Sequence, residues 1–238
     1  MANTMQSTAD QRSHLLDLMR AGTVAAVAFG VVRVVADLID LFGIDYRLGM
    51  AGAVQSGPYA LFAGLSLMAS LLLPLGLFGI YAHRGERTGR LGLAGFGLAF
   101  LGSLMVAGND WANAFMAPVV AKEAPGISFL GTTGAPAGLL QTGIGLSFVP
   151  LTLGLLLMAV AAIRHATFPR WQPALLVAAV VSNMVLAPEA QSLQEIVPRV
   201  LVGAAIAVLG WHALRTDWLR PAADPFGNRP AERQLTQV

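Results

Sequence analysis

The stretch GVVRVVADLIDLFG, residues 30–43, is apolar enough for a lipid bilayer yet carries Arg33, Asp37 and Asp40. Their spacing is i, i+4, i+7. At about 100° per residue they fall near 0°, 40° and −20°, within one helical stripe about 60° wide. A charge held in the middle of a membrane costs about 2.5–3.5 kcal/mol or more, so the stripe must face protein or water. The rest of the helix surface is apolar and suits lipid. The stretch therefore predicts a membrane helix that needs neighbours. Arg33 and Asp37 are placed to pair along the helix, as a staple between helices or as one wall of a site. Asp40 falls near the outer interface.

The rest of the chain extends this reading. Of its 238 residues 55% are hydrophobic and only 12% are charged. That is about half the charged share of a soluble domain, and the mean hydropathy is +0.65. A helix needs about 20 apolar residues to cross a bilayer. Six runs qualify: Ala21–Gly43, Tyr59–His83, Leu91–Val119, Leu139–Ile163, Trp171–Ala187 and Ile196–Leu214. The expected fold is all-α, a six-helix transmembrane bundle over residues 21–215. Residues 1–20 form a cytoplasmic lead with Asp10, Arg12, His14, Asp17 and Arg20, without the pattern of a cleaved signal peptide. Residues 216–238 form a polar, Pro-rich tail expected to be disordered. The chain has no cysteine, which excludes disulfides, thiolate chemistry and Cys-ligated metals.

Lys and Arg accumulate on the cytoplasmic side of membrane proteins. Eleven of the 15 basic residues lie in the lead, the loops 84–90 and 164–170, and the tail. Arg47, Lys122 and Arg199 lie on the other side, and Arg33 within the first run. The asymmetry predicts cytoplasmic N- and C-termini and a multi-pass protein of a bacterial-type plasma (inner) membrane. The acids lean the other way: Asp45, Glu123, Glu189 and Glu195 in or beside outer loops, Asp37, Asp40 and Asp110 in outer helix halves. Acidic residues contribute little to insertion, so this tilt asks for another explanation. The basic residues are dispersed, so nucleic acid is not an expected partner despite a pI near 9.5.

The third run contains GNDWANAF, residues 108–115, where Asn109, Asp110 and Asn113 make one side of a turn polar and Trp111 suits an aromatic belt. Ordinary interfacial polarity with interhelical hydrogen bonds accounts for this, and so does a cavity. Asp40 and Asp110 both lie about 18–20 residues from the basic ends of their helices, about 30 Å at 1.5 Å per residue. Shared depth predicts that the two acids approach each other across an outward-facing polar pocket. Asn109, Asn113 and Gln141 would complete its lining, with Arg33 and Asp37 deeper. The long connection at 117–138 is expected to be an ordered loop or shallow lid. Glycines 92, 95, 97, 102, 143, 145 and 154 supply small-residue spacings for close helix packing.

No catalytic constellation is complete. His83, His165 and His212 each end an even-numbered run near Arg, as helix-end residues do, and no HxxxH or HExxH pattern offers a metal site. GLSF at 145–148 with His212 resembles the Ser–His dyad of rhomboid proteases, but Phe148 stands where their motif has glycine. Asp37 and Asp40 resemble the opening of the CDP-alcohol phosphotransferase motif, whose remaining residues are missing.

The run LGLFGIYAHRGERTGRLGLAGFGLAFLGSLMVAGNDWANAFMAPVVA, followed by AIRHATFPRWQPALLVAA, resembles small multi-pass integral membrane proteins of bacteria. The likeness covers about residues 60 to 215, is one of layout, and carries over no activity. Three roles are open: binding or passing a small solute, cation or proton; serving as an accessory subunit of a larger membrane complex; and intramembrane catalysis. The expected partners are membrane lipids, a small solute or ion, and a membrane-protein partner or second copy. The sequence leaves any cofactor unknown.

Overall fold

The computed structural model describes residues 2–123, 135–186 and 193–218. They form eight α-helices: α1 (Ala2–Gly43), α2 (Gly49–Val54), α3 (Gly57–Arg84), α4 (Gly89–Trp111), α5 (Ala117–Glu123), α6 (Ala135–Arg164), α7 (Trp171–Leu186) and α8 (Leu193–Trp218). A five-residue π-helical turn, Ala112–Met116, joins α4 to α5. Among the described residues there is no strand.

Local chemistry sets several boundaries. The Ser56 hydroxyl accepts the Tyr59 amide at 3.3 Å, and Pro58 sits in the first turn, so α3 starts with one orphan donor capped and another absent. Gly89 opens α4 at φ +62°, a backbone that side chains resist. The short links from α3 to α4 and from α6 to α7 make these pairs antiparallel neighbours.

The six long helices close into a ring. α1 packs on α3 and α8, α3 on α4, α4 on α6, α6 on α7, and α7 on α8. Within it lies a core that includes Leu73, Leu77, Leu155, Leu176, Ile206 and Leu209. One end carries Gly43, Gln55, Ala121 and Arg199 and is called the Asp40 end. The opposite, His83 end carries Thr88, Phe168 and Thr216. At the Asp40 end α2 and α5 pack together, and Ile44, Ala53, Val54, Tyr59, Ala117 and Ala121 form a second, smaller core. Gln55 Nε2 donates to the Ala121 carbonyl at 3.1 Å and ties this cap across the ring.

Four helical stretches are long and apolar enough to cross a membrane: Gly57–His83, Gly89–Glu123, Thr142–Arg164 and Ile196–Thr216. α7 is apolar but has 16 residues, and α1 has ample length but keeps its three charges. Two boundaries differ from the sequence expectation. α1 is one helix from Ala2, so residues expected as a separate lead continue into the first apolar run. α8 runs to Trp218, past the expected start of the tail. The expected loop at 117–138 is helical where described, as α5 and the start of α6. Residues 124–134 and the remaining tail, 219–238, lie outside the described residues.

Glycine makes the seams between helices. A Cβ on Gly22 would lie 2.7 Å from the Gly79 Cα, and one on Gly76 2.7 Å from the Ala26 Cα, so α1 and α3 touch backbone to backbone. Gly30 meets Gly203 at the α1–α8 seam, and Gly95, Gly102 and Gly154 do the same between α4 and α6. Of the other glycines expected to pack, Gly92 lies against Thr88, the N-cap residue of α4, while Gly97, Gly143 and Gly145 face open space.

Candidate functional site

The charged stripe of α1 points into the ring. Asp37 is completely buried. Arg33, one turn earlier, grips it with both arms of its fork: Nε donates to Oδ2 at 3.1 Å and Nη2 to Oδ1 at 2.9 Å. Arg199 of α8 approaches Asp37 Oδ1 to 3.9 Å with Nη1 and donates from Nη2 to Asp40 Oδ2 at 3.1 Å. The other Asp40 oxygen accepts the Tyr46 hydroxyl from the short turn after α1. Two guanidiniums and two carboxylates thus share one desolvated cluster, with bidentate geometry that fixes their orientation. Burial first, and then the bond to Asp40, push the Tyr46 phenol well above its ordinary range. Tyr46 therefore stays a proton donor to Asp40 throughout the physiological pH range.

Asp110 enters from α4. It lies in the electrostatic field of Arg33, Asp37 and Arg199 and within hydrogen-bonding reach of Ser70 on α3. Its Oδ2 is buried and has no hydrogen-bond partner among the described residues. Tyr59, buried at the start of α3, feels both Asp40 and Asp110. The π-helical turn begins two residues after Asp110. Such turns displace the following side chains relative to an α-helix and recur at functional sites.

The structure brings together Arg33, Asp37, Asp40 and Asp110 but arranges them differently from the sequence expectation. Asp40 is occupied by Tyr46 and Arg199, and the carboxylate acting on Asp110 is Asp37. The reason is the ring order: α8 beside α1 inserts Arg199 at the Asp40 position. Asn109 turns away from the acids and donates to Ser147 Oγ on α6, making an α4–α6 clasp. Asn113 lies half-buried in the π turn. Gln141 lies on α6 with its side chain outside the described set. Arg199, Tyr46, Tyr59 and Ser70 are members that sequence reasoning missed. Arg199 had a signal, since it lies three residues into the last apolar run, at the depth of Asp40.

A cavity of about 40 Å³ lies at the other end of the ring, lined by Leu77, Tyr81, Thr88, Met158, Phe168 and Leu209 among others. Beside it His83 Nε2 and Thr216 Oγ1 are 3.0 Å apart, and Phe168 packs between His83 and His212. Ser147, held by Asn109 near the Asp40 end, and His212, near the far end, do not form a dyad. Comparison with protein-family models, curated proteins and solved structures gives no match to this chain.

Proposed function

We propose that this chain is a six-span plasma-membrane protein, with both termini on the basic, cytoplasmic side. Its buried charge network binds or passes a small solute, ion or proton from the opposite side. In this reading α1 crosses the membrane because its stripe is neutralised inside the ring, and α7 crosses as a short, apolar sixth span. The observation that carries the functional part is a mismatch: three carboxylates (Asp37, Asp40, Asp110) meet two guanidiniums (Arg33, Arg199) in one buried cluster. A staple needs matched charges, and an unmatched acid in a membrane interior is a default site for a mobile positive charge.

The test is reconstitution of the full chain in lipid vesicles that contain a pH-sensitive dye, with a potential imposed across the membrane. Faster acidification or cation entry than in protein-free vesicles, slowed in Asp110→Asn, supports the reading. Behaviour identical to empty vesicles for protons, Na⁺, K⁺ and a panel of small solutes, with no ligand-dependent stabilisation in detergent, sinks it. Orientation is tested separately. In this cysteine-free chain a Cys introduced at Arg87 should be shielded from an impermeant thiol reagent in intact cells, and one at Lys122 should react.

An accessory role is the second reading, favoured by Gly97, Gly143 and Gly145, which stand open on the outer surfaces of α4 and α6. Small residues on a lipid-facing helix allow another helix to approach closely. Bulky substitutions there would disrupt a partner or a second copy without touching the network.

A further inference from the structure

We propose that Asp110 carries an exchangeable proton in a small polar site completed by Ser66 and Ser70 of α3. The inference deepens the functional reading above and rests on it. Its first support is the unmatched acid, whose Oδ2 is buried without a partner among the described residues. The second is independent and comes from the serines. Ser70, Ser103, Ser147 and Ser182 each donate their hydroxyl to the carbonyl three residues back. Ser66 does not. It is 3% exposed, and its Oγ is buried with no hydrogen-bond partner among the described residues. Tyr59, Ser66 and Ser70 lie on one stripe of α3, near 0°, −20° and 20° at about 100° per residue. Tyr59 and Ser70, which flank Ser66 on that stripe, both sense Asp110. Two orphaned polar atoms along one interior surface mark a place for a small hydrogen-bonding species.

A proton suits this place better than a metal ion. Among the described residues no group of three or more carboxylates or imidazoles is placed to hold a metal. A protonated Asp110 also leaves two carboxylates facing two guanidiniums. Ser70 fits this state and the ionised one. Its hydroxyl lies 2.9 Å from the Leu67 carbonyl and within reach of Asp110, so it serves either state, accepting from a protonated Asp110 or donating to its carboxylate. When Asp110 gives its proton to water, the Ser70 hydroxyl rotates from Leu67 to donate to the carboxylate. Ser66 supplies a second hydroxyl through which a water can reach Oδ2. The charged and titratable groups acting on Asp110 are Arg33 and Asp37 on α1 and Arg199 on α8, and Tyr59 on α3 feels Asp110 in turn. α6 contributes none between Thr142 and Ile163.

Infrared difference spectroscopy on the full chain in lipid tests the proposal, stepping the pH and repeating in D₂O. A protonated-carboxyl C=O band should appear, move in D₂O, vanish in Asp110→Asn and return at a shifted frequency in Asp110→Glu. Ser66→Ala and Ser70→Ala, which keep Asp110, should each displace the band by removing a hydrogen bond. Persistence of the band in Asp110→Asn, or an unmoved band in both serine variants, overturns the proposal. Loss of the band on adding Na⁺ at constant pH also overturns it, in favour of a metal cation. Ion flux with Asp110 ionised at every pH would leave the functional reading standing and remove this one. A titrating Asp110 in a chain that moves and binds nothing would do the reverse.

Discussion

The two ends of the ring fill their interiors in opposite ways. The Asp40 end is filled by two arginines, three aspartates and two tyrosines under a small apolar cap. The His83 end is filled by apolar side chains around a cavity of about 40 Å³. Both ends belong to helices that glycine seams already hold together, with Gly22 and Gly79 joining α1 to α3, and Gly30 and Gly203 joining α1 to α8. Adhesion between α1 and its neighbours therefore rests in part on backbone contact at these seams. The His83 end closes mainly on apolar contacts, with the His83–Thr216 contact at 3.0 Å beside them.

Perturbing each end should give effects of graded size. Replacing Arg33 with Met, or Asp37 with Leu, strands a buried partner and should cost about 3–5 kcal/mol, whereas the double replacement should cost much less than the sum. Thermal unfolding in detergent measures both, and additive losses would show that the pair does not act as a unit. Next come the seams. Gly79→Val places side-chain atoms against the Gly22 and Thr23 backbone, and should cost about 1–3 kcal/mol or more through overpacking. A smaller loss there than at Arg33 supports the contrast, and a larger one would mean that the seams dominate.

The cavity should respond with the opposite sign. Ala159, 2% exposed and lining it, is the place to add bulk. Ala159→Val should gain about 0.5–2 kcal/mol if the space is void, and a loss would show that the wall is already at contact. The smallest effect is expected at the clasp outside the network. Asn109→Ala removes the bond to Ser147 and should cost about 0.6 kcal/mol, the mean for such bonds in membranes. It should leave any proton or ion signal unchanged. A change in that signal would bring Asn109 back into the site.

The sequence was most legible where one helix carries the whole signal. The periodicity of Arg33, Asp37 and Asp40 shows a shared face, and their charge in an apolar run shows that this face turns inward. Length and hydropathy likewise give an all-helical chain with membrane-crossing helices. Legibility failed where a partner comes from elsewhere in the chain. Nothing local states that α8 lies against α1, so Arg199 counted only as one of three basic residues on the outer side. Nothing local states that Asn109 and Asp110, adjacent in sequence, diverge by about 100° and so serve different neighbours. Shared depth grouped Asp40 with Asp110, but depth says nothing about which partners each of them bonds. Ser70 and Ser66 gave no signal at all, because serine in an apolar helix ordinarily satisfies itself on the preceding turn.

The ion pair between Arg199 and Asp40 also has a consequence in time. It joins residues 159 positions apart. A ribosome adding about 5–20 residues per second needs about 8–30 s to cover that distance. Arg33 and Asp37 can neutralise each other as soon as their turn of helix forms, but Asp40 must wait for α8 to be made. α1 is thus completed only once α8, made much later, is in place. During that interval its acid must be sheltered at the insertion machinery or in the aqueous interface, which makes a nascent chain truncated before Arg199 the species most open to quality-control proteolysis.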